Sequence, residues 1–437
     1  MTVKELIARS KAAQAAFAFA TQEQADAAAR AICKVVYDNA EKLGPMAAEE
    51  SRMGSEQDKI AKCRNKSALI WESLKDKKSC DIINRIEERR MIEVAKPVGV
   101  VASIIPSTNP VVTPMSNGAF ALKCRNSVIF APHPRAVKCT KLLVEMFRAE
   151  LKKLGLPEDL VLGLEEVSND LTSELMSAAD MVVATGGMGM VKAAYSSGKP
   201  AIGVGQGNVQ CIIDEDADIA DAVGKIIIGR AFDNGLICLG EQTVFVPEDK
   251  EAEFVAEMKK QGGYLVEGEE NVDKLREGLF PGGDAFSRVV VGMFADQVSD
   301  EIGLGAPKGT RVLFAKAKAL GAGDVLCREK LCPVIAYMTY KTFKEGVAMM
   351  EANLEHEGKG HSIAVHSNTP ENVEYAAIRC CVSRVVVNQP SGTTGGGSPT
   401  NGFTPTTTLG CGTWGNNSFA GNLNYEQFIN ITRVGYP

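Results

Sequence analysis

The chain has 437 residues, of which 45% are hydrophobic and 23% charged, and its formal net charge is −6 at pH 7. This length predicts two or three domains, and the ordinary composition is typical of a globular protein. The negative charge excludes an electrostatic nucleic-acid surface, and without a signal peptide or an apolar run of roughly 20 residues we expect no membrane contact.

The cysteines of the chain give no sign of a metal site. There are 12 of them, scattered without a CxxC pair, and the 4 histidines form no Cys/His metal box. Cysteines spaced in this way are free thiols in a reducing compartment. We therefore expect a cytoplasmic protein with no bound metal.

The N-terminal part of the chain predicts helices followed by a β-ribbon. Residues 2–45 and 58–74 have the apolar spacing of amphipathic helices. Residues 79–95 predict two strands around a charged connector, and a lone ribbon is only marginally stable in water. We expect this arm to pair across subunits with the strand-like residues 426–434, giving a homodimer or a dimer of dimers.

From Lys96 onward, strands and helices alternate. Strands are predicted at residues 98–105, 127–131, 160–164, 181–184 and 209–213, with helices between them. A second alternating series has predicted strands at residues 243–246, 289–291, 311–315, 334–337 and 384–388. Such alternation predicts mostly parallel, doubly wound sheets in an α/β protein, with a Rossmann-type cofactor domain and a second α/β catalytic domain.

These elements suggest a division of the chain into domains. We assign residues 1–78 and 96–212 to a dinucleotide-binding domain and residues 213–400 to a catalytic domain. Residues 79–95 and 401–437 form an oligomerisation arm and a C-terminal segment in this division.

One cysteine lies on a tight connection in front of a predicted strand. Asn234-Gly235 permits a turn with positive φ, Cys238 follows it, and a β-branched run begins at Thr243. A thiolate in such a position can attack a substrate while backbone N–H groups face the developing oxyanion. Taken alone, a buried structural cysteine is the commoner arrangement, so the assignment depends on the other motifs.

Three further motifs follow predicted strands. Asn109 comes after residues 98–105, where open α/β sheets bind ligands, and its amide suits an oxyanion, although it also suits a turn before Pro110. Thr185-Gly186-Gly187-Met188 opens a helix and could bind a pyrophosphate, without the full GxGxxG spacing. His133-Pro134-Arg135 could lie near an adenosine ribose or its phosphate, or in a solvated loop.

Residues 391–417 are rich in Gly, Ser, Thr and Asn. Low complexity of this kind can indicate a disordered linker. Phe403, Leu409, Cys411 and Trp414 interleave with the glycines, so we expect an ordered loop that lines a site.

Together these motifs resemble the aldehyde dehydrogenase superfamily, and within it the CoA-acylating branch. The resemblance covers essentially the whole chain and is closest to members that act on succinate semialdehyde. It rests on Pro106-Ser-Thr-Asn-Pro110, Ala131-Pro-His-Pro-Arg135, Ala184-Thr-Gly-Gly-Met188, Phe232-Asp-Asn-Gly-Leu-Ile-Cys238, Gly240-Glu-Gln242, Glu329-Lys-Leu-Cys-Pro333, Gly360-His361 and Leu409-Gly-Cys-Gly-Thr-Trp-Gly415.

The resemblance implies a role for each matching residue. Cys238 would be the nucleophile, Asn109 the oxyanion donor and Glu329 the ligand of the nicotinamide ribose. His361 could handle a proton or be a satisfied core histidine. The remaining residues implied for the cofactor are Ser107, Thr108, His133, Pro134, Arg135, Thr185, Gly186, Gly187 and Met188. At the substrate end we expect Leu239, a departure from relatives that often have Ser or Ala there, and the loop residues Ser391, Thr393 and Thr394.

One departure from the family pattern bears on the reaction. Hydrolytic members carry a general-base Glu where this chain has residues 202–210, and that stretch contains no carboxylate. We therefore expect coenzyme A, with NADP or NAD as the cofactor, to take the acyl group from a Cys238 thioester, and the reverse reaction also to occur. A hydrolytic aldehyde dehydrogenase, a thiolase-like acyltransferase and a non-enzymatic filament or redox sensor are the rival interpretations.

The substrate prediction comes from residues 390–401, which offer hydroxyl and backbone N–H groups but no lysine or arginine. Several neutral hydrogen bonds can hold a small acid group. We expect a short acidic aldehyde, with succinate semialdehyde first and sulfoacetaldehyde or acetaldehyde as alternatives.

Overall fold

The computed structural model describes residues 1–283 and 285–437. The α-helices are α1 (Val3–Phe17), α2 (Gln22–Asp38), α3 (Ala40–Ser51), α4 (Glu56–Leu74), α5 (Val112–Lys123), α6 (Val137–Lys153), α7 (Asn169–Ala178), α8 (Met188–Tyr195), α9 (Ile219–Ala231), α10 (Glu251–Lys260), α11 (Glu269–Leu279), α12 (Ala295–Ile302), α13 (Phe343–His356), α14 (Pro370–Arg379) and α15 (Ser391–Thr394). The strands are β1 (Asp81–Ile86), β2 (Met91–Pro97), β3 (Val100–Ile104), β4 (Ser127–Ala131), β5 (Val161–Gly163), β6 (Met181–Thr185), β7 (Ala201–Val204), β8 (Val209–Ile213), β9 (Glu241–Pro247), β10 (Gly263–Leu265), β11 (Val312–Lys316), β12 (Val334–Tyr340), β13 (Gly360–His366), β14 (Val382–Val387), β15 (Leu409–Cys411), β16 (Ala420–Asn422) and β17 (Ile429–Gly435).

One sheet of the described chain has five parallel strands in the order β5-β4-β3-β6-β7. Strands β3 and β4 are buried along their whole length, as expected for strands covered by helices on both faces. The predicted doubly wound arrangement is confirmed here, and β7 is an additional strand that the sequence reading missed. The carboxyl ends of β3, β4 and β6 meet at one edge, where ligands bind in such sheets.

A second sheet of the described chain has seven parallel strands in the order β10-β11-β12-β9-β8-β13-β14. The strand predicted at residues 289–291 is wrong, since those residues form bends and a turn. Val290 is buried in a core cluster while Val289 is 56% exposed. Residues 289–291 therefore belong to a loop that Val290 anchors in the core. The strand that pairs with β11 at this edge of the sheet is β10.

Strand β8 belongs to the second sheet, where it pairs with β9 and β13. The predicted domain boundary between residues 212 and 213 would cut this strand. The sheet membership favours a boundary before Val209, and the division into domains otherwise stays a prediction.

The predicted ribbon forms a three-stranded antiparallel sheet in the order β1-β2-β17. The C-terminal strand pairs with the ribbon, as expected, but it does so within the same chain, with Ile431 opposite Ala95. The expectation that these two segments pair with each other across subunits is therefore wrong. The role of this sheet as an oligomerisation arm stays a prediction.

Within residues 1–283 and 285–437, no helix combines the length and the apolar character needed to cross a bilayer.

Candidate active site

A cavity of ≈ 1260 Å³ lies where the carboxyl edge of the five-stranded sheet meets the loops that precede β9 and β12. Most of the predicted site residues line it. They are Ser107, Thr108, Asn109, His133, Pro134, Thr185, Gly186, Gly187, Met188, Cys238, Leu239, Glu329, His361, Thr393 and Thr394.

Two predicted residues, Arg135 and Ser391, lie away from this wall as the structure describes it. Arg135 is exposed, and its backbone N–H donates to Nδ1 of His133 at 3.1 Å. Ser391 is fully buried, and its N–H donates to Oε1 of Glu241 at 2.7 Å. Both residues are next in sequence to residues that line the cavity. Successive side chains point in different directions, however, and neither of these two lines the cavity wall.

The turn before Cys238 has a left-handed backbone at consecutive residues. The φ angles are 49° at Asp233, 53° at Asn234 and 72° at Gly235. A Cβ on Gly235 would lie 2.5 Å from the backbone carbon of Cys332, so only glycine fits both the φ and the close approach. The predicted sharp turn is therefore present, and it fixes the path of the chain into the cysteine.

Asp233, in this turn, is fully buried and is held by cations from helix α4. Its carboxylate accepts from Nζ of Lys59 at 3.2 Å, and also from Nζ of Lys62. The same Lys62 ammonium donates to Oδ1 of Asn109 at 2.6 Å. Because a cation occupies the amide oxygen, the amide nitrogen of Asn109 is left as the hydrogen-bond donor of that side chain.

Cys238 is half-buried, as is Cys381, whereas the other cysteines in the described part of the chain are buried. Burial raises the pKa of the Cys238 thiol to about 12, and the charge of Glu329 acts in the same direction. The Arg384 guanidinium opposes this by favouring the thiolate. Cys238 in the ligand-free protein is therefore a thiol.

Glu329 connects Cys238 to residues 202–210. Its Oε1 accepts from the N–H of Gly207 at 2.9 Å, and a Cβ on Gly207 would lie 2.2 Å from the carbonyl oxygen of Cys238. Burial raises the pKa of Glu329 to about 8. Residues 202–210 supply no carboxylate, so Glu329 is the acidic group that the fold brings to this side of the thiol.

The first turn of helix α8 faces the cavity with Gly187, Met188 and Gly189. Helix N-termini carry unpaired N–H groups and a partial positive charge that suit a pyrophosphate. At the end of β6, Oγ1 of Thr185 is buried and has no hydrogen-bond partner among the described residues. These groups fit a dinucleotide phosphate, which would take up the donors that the protein leaves unpaired.

His361, at the start of β13, lines the cavity and is 1% exposed. Neither ring nitrogen has a partner in residues 1–283 or 285–437, so it is not a satisfied core histidine. Arg384 donates to the carbonyl oxygen of His361 at 2.9 Å and to Oγ of Ser362 at 2.9 Å. Burial and the charge of Arg384 hold the pKa of His361 well below its usual range, so the ring is neutral.

The Gly- and Thr-rich segment is an ordered loop on the cavity wall, as predicted. The hydroxyls of Thr393 and Thr394 donate to the carbonyl oxygen of Pro390 at 3.3 and 3.0 Å. Lys66 of helix α4 donates from Nζ to the carbonyl oxygen of Gly396 at 2.8 Å. This lysine also lines the cavity, so the cavity wall beside this loop includes a cation that residues 390–401 themselves lack.

Sequence reasoning missed Lys62, Lys66 and Arg384. The two lysines are four residues apart on α4, a spacing that puts them on one face of a helix. A helix face that carries charged residues is usually exposed to solvent, so the spacing of these lysines alone did not predict that they line a cavity. In the part of the chain that the structure describes, no group of His, Cys, Asp and Glu could hold a metal ion.

Comparison with known proteins gives consistent matches. The family model described as "Aldehyde dehydrogenase family" matches residues 1–274. The succinate-semialdehyde dehydrogenase (acetylating) of Clostridium kluyveri is 49% identical over 436 residues, which are 100% of this chain and 96% of that protein.

Solved structures match over the whole chain. An acetylating aldehyde dehydrogenase from Geobacillus thermoglucosidasius superposes with a TM-score of 0.96 at 36% identity, covering 100% of this chain and 96% of the other. The propionaldehyde dehydrogenase of Rhodopseudomonas palustris, solved with bound propionyl-CoA, gives a TM-score of 0.88 at 26% identity, covering 100% and 94%.

Proposed function

Because the chain belongs to the aldehyde dehydrogenase family, in its CoA-acylating branch, we propose that Cys238 carries the acyl group and that succinate semialdehyde is the substrate. The protein is an oxidoreductase that uses NAD(P) to convert an aldehyde and coenzyme A into an acyl-CoA, and it also catalyses the reverse. The observation that carries the proposal is the shared cavity wall of Cys238 and Asn109, with the Asn109 amide oriented by Lys62.

In the first step the Cys238 thiol loses its proton, which the neutral ring of His361 in the same cavity can accept and pass to solvent, and Sγ forms a bond to the carbonyl carbon of the aldehyde. The carbonyl oxygen becomes an oxyanion, and the amide nitrogen of Asn109 and the backbone N–H of Cys238 are its donors. The cation of Lys62 on the amide oxygen strengthens the Asn109 donor, since hydrogen bonds polarise one another along a chain. Because the protein already holds these groups in place, the free energy needed to orient them does not add to the reaction barrier.

The oxidation step needs a hydride acceptor beside this carbon. Thr185, Gly186, Gly187 and Met188 would hold the pyrophosphate of NAD(P)⁺ and Glu329 its nicotinamide ribose, and the bound nicotinamide would supply the acceptor. The carbon that loses hydride stays bonded to Cys238 Sγ as a thioester. Ser107, Thr108, His133 and Pro134 lie on the same cavity wall and would contact the rest of the cofactor.

The acyl group is then transferred from the Cys238 thioester to coenzyme A, whose sulfur attacks the carbonyl carbon and displaces the Cys238 thiolate. His361 is neutral and has both ring nitrogens unpartnered among the described residues, so it can accept the proton of the incoming thiol. Water is a poor competitor because residues 202–210 provide no base. The hydrolytic alternative would have to use Glu329, and release of free acid without coenzyme A tests it.

The substrate choice rests on the relative that is named for succinate semialdehyde and is 49% identical to this chain. A panel of succinate semialdehyde, sulfoacetaldehyde, acetaldehyde and hexanal, each followed by NADH and NADPH absorbance, tests it. The proposal expects the highest kcat/KM for succinate semialdehyde. A higher value for hexanal would overturn the acidic-substrate assignment while leaving the reaction itself in place.

We further propose that the protein forms homo-oligomers through the β1-β2-β17 sheet. The edge strands β1 and β17 expose apolar side chains, with Ile82 37%, Ile431 42% and Val434 37% exposed. Unpaired edges of this kind are usually covered. Replacing Ile431 and Val434 with Lys should lower the native mass in light scattering, and an unchanged mass would exclude this edge as the contact.

The cysteines support a proposed cytoplasmic location. Each of the 12 described cysteines is a free thiol, which is the usual state in a reducing compartment.

A further inference from the structure

Lys66 differs from the other lysines of helix α4. Lys59 and Lys62 are paired with the carboxylate of Asp233. Lys66 donates to a neutral carbonyl oxygen, that of Gly396, and no ion pair with Asp or Glu is found for it in the described residues. An ammonium group carries three donors, so two N–H groups of Lys66 remain for a ligand in the cavity that it lines.

The surroundings of Lys66 show that its charge is poorly compensated. Burial and the neighbouring charge of Lys62 lower its pKa to about 8, whereas a negative charge on Cys238 would raise it. The loop packed against it contributes the neutral carbonyl of Gly396. Lys66 is half-buried, and a partly desolvated cation with one carbonyl partner gains from an anion brought beside it.

The position of Lys66 relative to the nucleophile fits a short substrate. A Cβ on Gly396 would lie 2.9 Å from Lys66 Nζ and 3.7 Å from Cδ1 of Leu239. The ammonium, the loop backbone and Leu239 therefore meet at one place, and Leu239 is the residue directly after Cys238. An acid group next to the ammonium would lie within the reach of a few carbons from an aldehyde at the thiol.

We propose that Lys66 is the acid-binding group of the site and pairs with the terminal carboxylate or sulfonate of a short aldehyde bound at Cys238. This inference rests on the proposed oxidation of an acidic aldehyde. The expectation from the sequence is that neutral hydroxyl and backbone N–H groups of residues 390–401 hold the acid group. Lys66 takes the place of the hydroxyls in that expectation, since Ser391 does not line the cavity and the hydroxyls of Thr393 and Thr394 donate to the carbonyl oxygen of Pro390.

The test compares succinate semialdehyde with butanal, which has the same number of carbons and no charge. Lys66→Met should lower kcat/KM for succinate semialdehyde by roughly tenfold or more, because hydrogen bonds to charged groups are strong, and should leave butanal within about twofold. Lys66→Arg, which keeps the charge, should retain most of the preference. Lys75→Met, an exposed lysine just beyond the same helix that pairs with Glu72, is the matched control and should change neither value.

A measurement on the unmodified protein serves if Lys66→Met does not fold. The ratio of kcat/KM for succinate semialdehyde to that for butanal should fall as pH rises through about 8, where Lys66 loses its proton. Glu329 lines the same cavity and its pKa is also about 8, so the fall should persist in Glu329→Gln, where Lys66 still titrates in this range and position 329 does not. Contributions from Cys238 cancel in this ratio because both aldehydes use the same nucleophile. A sulfoacetaldehyde arm reports whether a sulfonate is bound as well as a carboxylate.

The outcomes separate the two proposals. Equal losses for both aldehydes in Lys66→Met, or a pH-independent ratio, would overturn the acid-binding role while the proposed function stands. If the unmodified protein oxidised butanal but no acidic aldehyde, the substrate assignment and the acid-binding role would both fall. If neither aldehyde gave acyl-CoA, the proposed reaction would fall as well.

Discussion

The ammonium of Lys62 lies 2.6 Å from the amide oxygen of Asn109 and also contacts the carboxylate of Asp233. Asp233 begins the left-handed turn that leads to Cys238, so one lysine of helix α4 joins the predicted oxyanion donor to the nucleophile turn. An asparagine amide can face either way. This contact selects the orientation that presents the amide nitrogen to substrate.

Replacing Lys62 with Met should therefore impair catalysis through Asn109. We expect kcat to fall by about tenfold to a hundredfold, less than the roughly 10²–10³ caused by removing an oxyanion donor outright. Steady-state kinetics with KM and kcat measured separately check this, and KM for the aldehyde should change little.

A double-mutant cycle distinguishes this role from a general loss of stability. In an Asn109→Ala background, Lys62→Met should have almost no additional effect on kcat, because the side chain through which Lys62 acts is absent. Additive losses would show that Lys62 only supports the fold.

The thiol pKa predicts how Cys238 reacts in the ligand-free protein. Since burial raises that pKa to about 12, the thiolate fraction is small at pH 7 and grows about tenfold with each pH unit up to pH 10. The rate of iodoacetamide modification of the Cys238 peptide, followed by mass spectrometry, should rise in the same way without a plateau. A plateau below pH 9 would mean that the protein already stabilises the thiolate.

Glu329→Gln should weaken cofactor binding. The carboxylate accepts from Gly207 at 2.9 Å through Oε1, so Oε2 is the oxygen we expect to accept from a ribose hydroxyl. An amide is a weaker acceptor than a carboxylate, and we predict a roughly tenfold rise in Kd for NAD(P)⁺ by calorimetry. Glu355→Gln, a surface residue paired with Lys359, is the control, and equal Kd values for the two variants would contradict the ribose role.

The parts of the site that the sequence revealed are local ones. The turn at Asn234-Gly235, the helix start after Thr185 and the position of Asn109 after β3 depend on neighbouring residues, and the structure brings them to one cavity. Strand alternation likewise predicted the parallel sheets. Such features can be recognised because their geometry is encoded within a few residues of the chemistry.

The parts that were missed depend on long-range packing. Lys62 and Lys66 come from a helix more than 40 residues before Asn109, and charged residues on a helix face usually indicate solvent. The sequence showed Arg384 only as the first residue of a predicted strand, yet its guanidinium donates to the carbonyl oxygens of His361 and Gly410. The pairing of β17 with β2 within one chain could not be predicted either, because the sequence of an edge strand does not show whether its partner strand belongs to the same chain or to another subunit.

The measurement that tests the account most directly is detection of the acyl-enzyme. Incubation with succinate semialdehyde and NAD(P)⁺ but without coenzyme A should give one NAD(P)H per subunit and the added mass of one succinyl group on the Cys238 peptide. Adding coenzyme A should remove that mass and release succinyl-CoA. Cys238→Ala should show neither the burst nor the adduct, and Cys211→Ala, which changes a buried thiol of β8, should show both. Continued release of free succinate without coenzyme A, or an adduct on another residue, would contradict the account.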